Sequence, residues 1–277
     1  MGHTTTWTYS SGDAVTQLQS TTSINLSNIL YGAFGLTSAT LGNSHTETDA
    51  YDGRGRLTSI VYKDPSSNTV YAAGMSPAAD GSLTASTDTV NGNWGYTYDE
   101  FNHLKTATAS SGAFSGLTLT WTYDRYGNRA TQTASGTYQG SVYQTSFTFA
   151  SNQINGFCYD AVGNLLDMQS CPAPGSSHLY TYDAEGRMIS ANGMPYEYNA
   201  NGERVSKDNA SGVPQTVYLH DASGNQVAEL NASLVVQHAN VYSGSHLVGT
   251  LNSTNGKVYY AYSDWLGTKR YEADGAG

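Results

Sequence analysis

The side chains here whose types suit chemistry are repeated aspartates, seven histidines, two cysteines and a scatter of arginines. Closely spaced aspartates are what a calcium loop uses. The D-x-[DN]-x-[DN]-G order is absent, however, and each Asp has a use in a turn of its own. The histidines, His3, His45, His103, His178, His220, His238 and His246, include no pair at the spacing with which a helix offers two imidazoles to a metal. His220-Asp221 lies in YLHDASGN, which reads as strand and turn rather than as a catalytic pair. No G-x-S-x-G elbow, P-loop or G-x-G-x-x-G fingerprint occurs. The residues lead us to expect no catalytic residue, no metal, no cofactor and no enzymatic activity.

Cys158 and Cys171 are the only thiols. If a hairpin turns at Ala161 and Val162, Cys158 faces the vicinity of Leu165, and Cys171 lies about six residues further on. At ~3.3 Å per residue that offset is roughly 20 Å, too far for a disulfide in a simple hairpin. Two free thiols are the favoured reading. A fold-back at Pro172 or a shifted neighbouring hairpin leaves a bridge open, and a bridge would place the protein in an oxidising compartment. Arg54, Arg56, Arg125, Arg129, Arg187 and Arg204 stand in or beside the same turns as the aspartates. They read first as guanidiniums bonded to Asp carboxylates or to carbonyls of the next hairpin, and second as a strip for an anionic ligand.

The elements that would carry these residues follow from one recurring phrase, Tyr-Asp-x-x-Gly followed by Asn or Arg and often an aliphatic residue. Its clear copies are YDGRGRL (Tyr51, Asp52, Gly55), YDRYGNR (Tyr123, Asp124, Gly127), YDAVGNL (Tyr159, Asp160, Gly163) and YDAEGRM (Tyr182, Asp183, Gly186). Degenerate copies are YDEFNHL (Tyr98, Asp99) and YNANGER (Tyr198, Gly202). The residues before the phrase alternate: in LTLTWTYD, Leu117, Leu119, Trp121 and Tyr123 face one way and the threonines the other, the period of a half-buried strand. The Asp carboxylate accepts from backbone amides two residues on, and the Gly supplies a positive φ. The phrase is therefore a strand, a four-residue turn and a strand, with the tyrosine rings stacking from hairpin to hairpin.

Thirty Gly, 22 Tyr and only 12% charged residues describe a turn-rich β protein, and 277 residues suffice for a sizeable core. Five Asn-Gly pairs add hairpin signals. Residues Val15 to Leu36 are the least strand-like and have room for one short helix. The intervals between phrases are irregular, as in stacked hairpins of unequal length, with Lys63 to Ser82 as a longer loop or an extra hairpin. We expect one continuous domain: a less repetitive β segment over 1–50, then a hairpin sheet over 51–277.

The phrases, together with YYAYSDWLGTKRYEADG from Tyr259, resemble the Rhs or YD-repeat family of bacterial polymorphic toxins, toxin-complex shells and teneurins. The late segment is similar to the family's core signature, with Asp264, Leu266, Gly267 and Arg270 in place, Trp265 where His is usual and Lys269 where Pro is usual. The resemblance implies an all-β fold in which hairpins wind into a curved or spiral sheet, an open or partial shell. It also implies a polypeptide cargo or neighbouring YD-repeat segments as partners, and secretion or display at a bacterial cell surface. The aspartate-dependent self-cleavage element that the family places beyond its core signature has no match in these residues, so that activity is not carried over.

A net charge of −10 argues against nucleic acid, and no apolar stretch is long enough for a membrane-spanning helix. Four Asn-x-Ser/Thr triplets fit the glycosylation pattern but arise readily in an Asn/Ser/Thr-rich chain. The expected function is a non-catalytic scaffold or encapsulating wall. The alternative is a Tyr- and Trp-rich module for carbohydrate or a cell-surface protein, with Trp7, Trp94, Trp121 and Trp265 as platforms.

Overall fold

The computed structural model describes residues 4–275, which leaves His3 outside it. All regular structure among the described residues is β. The first sheet opens with β1 (Thr5–Tyr9), β2 (Val15–Ser20), β3 (Leu26–Tyr31), β4 (Leu36–Leu41), β5 (Thr46–Tyr51), β6 (Leu57–Lys63) and β7 (Thr69–Pro77). It continues with β8 (Leu83–Asp88), β9 (Trp94–Tyr98), β10 (Leu104–Ala109), β11 (Leu117–Tyr123), β12 (Arg129–Gly136) and β13 (Thr145–Ser146). Two short pairs follow: β14 (Phe149–Ala150) with β15 (Gln153–Ile154), and β16 (Cys158–Tyr159) with β17 (Leu165–Asp167). The last sheet holds β18 (Tyr180–Tyr182), β19 (Met188–Ala191), β20 (Met194–Tyr198), β21 (Arg204–Asp208) and β22 (Pro214–His220). It ends with β23 (Gln226–Asn231), β24 (Val236–Ser243), β25 (His246–Asn252), β26 (Lys257–Ser263) and β27 (Lys269–Asp274). In each sheet the strand order is the chain order, so every neighbour is reached by a hairpin, and neither long sheet closes into a barrel.

Residues Val15 to Leu36 carry β2 and β3 rather than the short helix for which they had room. The pattern is broken by Asn28, whose φ of 48° inserts an irregularity into β3 between Ser27 and Leu30. Leu26 and Ile29 are therefore both buried although they are three residues apart. The irregularity breaks the alternation expected of a strand, which is why the segment reads as the least strand-like.

The chain divides into two compact units. One comprises residues 4–123, 131–145 and 240–275; the other comprises Asp124–Ala130 and Ser146–Ala239. The expected boundary at residue 50 falls within β5, inside the first unit.

The first unit has a two-layer core. Leu18, Ile24, Leu26, Leu41, Ile60, Tyr62 and Tyr71 from the early strands pack with Val241, Val248, Tyr260 and Tyr262 from the late ones. The Tyr62 and Tyr262 rings stack with centroids 4.6 Å apart. Tyr260 donates its hydroxyl to the Ser23 carbonyl (3.0 Å) and accepts from the Asn25 amide (3.3 Å). Gly42 makes room for that hydroxyl, which a Cβ there would overlap. Tyr262 accepts from Asn43 Nδ2 (3.1 Å) and hydrogen-bonds His45 Nδ1 (2.5 Å). These bonds join residues more than two hundred positions apart and leave the Tyr260 and Tyr262 hydroxyls satisfied in a buried layer.

The second unit has little apolar interior. Its buried apolar residues among those described are Cys158, Ala228 and Ala239, so hydrogen-bonded turns and a crosslink carry more of its cohesion. That crosslink corrects the expectation of free thiols: Cys158 and Cys171 form a disulfide, with Cα atoms 4.6 Å apart. Strand β17 is only three residues long. Asp167, not Leu165, stands opposite Cys158, and the chain then bends through Met168–Ser170 instead of running on as a strand. The offset of roughly 20 Å assumed a straight extension that the chain does not make.

Candidate functional site

The phrase builds one local device repeatedly. In the first copy, the Asp52 amide donates to the Arg56 carbonyl (2.9 Å) and the Gly55 amide to the Asp52 carbonyl (3.0 Å). Asp52 Oδ1 accepts the Arg54 and Arg56 amides (2.8 and 3.0 Å), and Oδ2 accepts Arg56 Nε (2.7 Å). The side chain four residues on fills the same place elsewhere: Asn128 on Asp124 (2.9 Å), Asn164 on Asp160 (2.8 Å), Arg187 on Asp183 (2.6 Å) and His103 on Asp99 (2.9 Å). This explains why Asn or Arg follows the glycine: the residue must donate to the outer carboxylate oxygen. These bonds to the charged form hold Asp52 and Asp124 below the usual carboxylate range, through Arg56 and Asn128 respectively.

The aliphatic position has an equally local cause. The strand register shifts just before the tyrosine, so Tyr51 stands opposite Leu57, Tyr98 opposite Leu104, Tyr159 opposite Leu165, Tyr182 opposite Met188 and Tyr198 opposite Arg204. A cross-strand partner for the ring is what this position supplies. The phrase tyrosines are half-buried, and the hydroxyls of Tyr98, Tyr123 and Tyr198 donate to the carbonyls of Leu83, Leu104 and Met188 (2.9, 2.7 and 2.8 Å). The fully buried tyrosines among the described residues, Tyr62, Tyr71, Tyr260 and Tyr262, lie outside the Tyr-Asp phrases.

Two further turns use the device without the tyrosine, Asp64 with Asn68 and Asp221 with Asn225, and the copy after Tyr198 inverts it, the Asn199 amide donating to the Glu203 carboxylate. His220-Asp221 is thus a turn. The late signature is another: Asp264 accepts the Leu266 and Thr268 amides (2.9 and 3.0 Å), and because Thr268 is short, Arg270 Nε reaches the second oxygen (2.7 Å). Gly267 takes its positive φ (76°), and Leu266 is exposed at the tip. The arginines divide by use. Arg54 and Arg56 bond the Ala79 and Ala78 carbonyls of the next hairpin (2.6 Å each), whereas Arg204 lies over the Tyr196 ring (4.2 Å). The tryptophans form no row. Trp94 and Trp121 satisfy their indole N–H groups at Asn91 and Gln132, Trp265 packs on the first unit's core, and Trp7 is exposed.

One cluster escaped the reading of motifs. In the first unit, a cleft of about 620 Å³ is lined by Leu26, Ile29, Tyr31, Glu47, Asp49, Ile60, His246 and Trp265, among others. Glu47 and Asp49 alternate with threonine on β5 and so share one face. Burial raises Glu47 to about 7, while the neighbouring Tyr62 hydroxyl acts in the opposite sense. Burial and the charge of Glu47 raise Asp49 to about 7. Burial also lowers His246. The pair can take up and release a proton near neutrality, or hydrogen-bond a polar group that enters the cleft. The signal was present in TETDAY: two acids two residues apart face the same side of a strand whose mates bury that side.

No family model matches the chain. It is 29% identical over 188 residues to the tRNA3(Ser)-specific nuclease WapA of Bacillus spizizenii, an alignment covering 63% of this chain and 7% of that protein. Among solved structures, it superposes on the TcdB2-TccC3-TEV structure with a TM-score of 0.62 and 18% identity, over 100% of this chain and 16% of that one. The TcdB2-TccC3 structure without its hypervariable C-terminal region gives 0.64 at 15%, and the Photorhabdus luminescens Tc holotoxin pore gives 0.61 at 17%, with the same coverages. At these identities the likeness is one of fold: an Rhs-like sheet of hairpins. The chain spans a small part of each of these proteins.

Proposed function

We propose that this chain is a segment of an Rhs/YD-repeat shell wall, a non-catalytic scaffold that encloses or presents a polypeptide such as a toxin. The observation that carries the reading is the repeated turn device, set hairpin beside hairpin in two long sheets whose fold follows a Tc toxin chain over the whole of this chain's length. Stiff, hydrogen-bonded turns and half-buried rings suit a wall better than a moving active site. The disulfide agrees with secretion or cell-surface display in a bacterium. The net charge of −10 disfavours nucleic acid as the partner, and no described helix is long and apolar enough to cross a membrane.

The test is protease protection. A labile polypeptide fused after Gly277 is expected to be cut about tenfold more slowly than the same polypeptide free in solution, because cleavage tracks its accessible population. Equal cutting rates would overturn enclosure.

A second reading rests on β1, where Trp7 and Tyr9, two residues apart on one strand face, are 42% and 57% exposed. Such a pair suits stacking on a sugar ring. Glycan-array binding that Trp7→Ala abolishes would make carbohydrate recognition the leading function.

A further inference from the structure

The geometry points to a second state of the crosslink in the second unit: a divalent-metal site of the zinc type, made by Cys158, Cys171, Asp167 and His178 when the disulfide is opened. Oxidised, the four residues are a covalent clasp. Reduced, they are a ligand set of two thiolates, one carboxylate and one imidazole.

The ligand atoms are already gathered. The donor atoms of Cys158, Asp167 and His178 lie within 4.8 Å of one another, and Cys171 Sγ is bonded to Cys158 Sγ. Zn–S bonds of about 2.3 Å and Zn–N or Zn–O bonds of about 2.0 Å put tetrahedral ligands roughly 3.3–3.8 Å apart, so the widest separation closes by up to about 1 Å while the Asp167–His178 pair, now at 2.6 Å, and the two sulfurs open to admit the ion. Such a mixture of sulfur, nitrogen and oxygen donors favours zinc over calcium or magnesium.

The surroundings fit a closed metal site with one mobile ligand. Cys158 and Asp167 are buried, on facing strands β16 and β17. Asp167 Oδ1 is held by the Leu179 amide (2.9 Å), which leaves Oδ2 turned to His178 Nδ1 at 2.6 Å. A metal takes the place of the hydrogen between those two atoms, with the imidazole proton carried on Nε2 instead. Cys171 sits on an exposed stretch without regular structure and is free to move apart from Cys158 once the S–S bond is cut. A cleft of about 550 Å³, lined by Asp167, Met168, Gln169 and His178 among others, gives access.

The chemistry balances in two steps. A small dithiol gives two electrons and two protons to the disulfide, yielding two cysteine thiols and a cyclic disulfide of the reductant. The metal ion then displaces both thiol protons and binds the thiolates. The 158–171 loop would stay closed in either state, by a covalent bond in an oxidising medium and by a metal in a reducing one.

Cobalt is the probe. Oxidised and phosphine-reduced protein are titrated with Co2+, followed by Zn2+. The expected result is a thiolate-to-cobalt charge-transfer band with tetrahedral d–d bands, at one equivalent, in the reduced protein alone, and its loss on adding Zn2+. His178→Ala and Asp167→Asn, which leave the disulfide intact for a check of folding, are expected to weaken binding by at least the roughly tenfold that even outer-shell partners command. Cys171→Ser should remove much of the charge-transfer intensity. If reduction loosens the unit, recovery of its circular dichroism on adding Zn2+ also supports the site. A reduced protein without the band at saturating Co2+ would overturn the proposal. So would a band whose affinity is the same in His178→Ala and Asp167→Asn, since that describes two loose thiolates.

Discussion

At the scale of single residues, the turn glycines and the buried acids make separate demands. Gly163 has φ of 99° and no heavy atom within 4 Å of where a Cβ would stand, so its requirement is conformational alone. Gly163→Val should cost about 1 kcal/mol or more in urea unfolding, without new clashes. Gly42→Ala should be worse although Gly42 lies outside the positive-φ region, because its Cβ would overlap the Tyr260 hydroxyl. The acids set the pH behaviour. Glu47, raised to about 7 from 4.5, is protonated in the fold while the unfolded chain has already ionised it. Its contribution is therefore fully present below the unfolded pKa and is lost as pH rises through about 7. Stability should fall between about pH 4.5 and pH 7. Glu47→Gln should flatten that fall and gain on the order of 3 kcal/mol at pH 8, read from urea melts across pH. An unchanged slope would place Glu47 in a wetter setting than the cleft provides.

At the scale of elements, each hairpin is fixed by its own turn and then locked to a neighbour. Asn192 and Gly193, with φ of 52° and 75°, make the two-residue hairpin that Asn-Gly signals, whereas Asn201-Gly202 is absorbed into the Asn199–Glu203 device. Local chemistry made these turns legible; which signal a given dipeptide serves depends on whether an Asp or Asn stands three residues before the glycine. The disulfide shows the opposite case. Its pairing hung on where β17 stops, and nothing in LLDMQSC announces a bend after Asp167. Reduction in the presence of a chelator should cost the second unit about 3 kcal/mol, the chain-entropy value for a loop of this length. Hydrogen exchange should quicken in β16 and β17 while the first unit's core amides are unaffected.

At the scale of the whole molecule, residues 1–50 are not an accessory to the repeats. They supply Leu18, Ile24, Leu26 and Leu41 to the core that Tyr260 and Tyr262 complete. A chain beginning at residue 51 should therefore lose the cooperative unfolding of the first unit, as seen by calorimetry, and Tyr262→Phe, which strands the buried Asn43 and His45 groups, should cost about 1–3 kcal/mol. The sequence by itself determined the class and the sheet's local unit: period-two strands, Asp-to-amide turns, the donor after the glycine, and the likeness to Rhs proteins. Those are contacts between near neighbours in the chain, and residue types specify them directly. The tertiary structure alone decided what lies across the layers. The stacking of Tyr62 on Tyr262 and the burial of Glu47 and Asp49 to one side of β5 depend on which faces of distant hairpins meet, and the meeting of Cys158 with Cys171, Asp167 and His178 depends on where β17 ends and the chain bends back. A pattern with a period of two tells which side of a strand is buried but not against what, so the partners had to come from the fold.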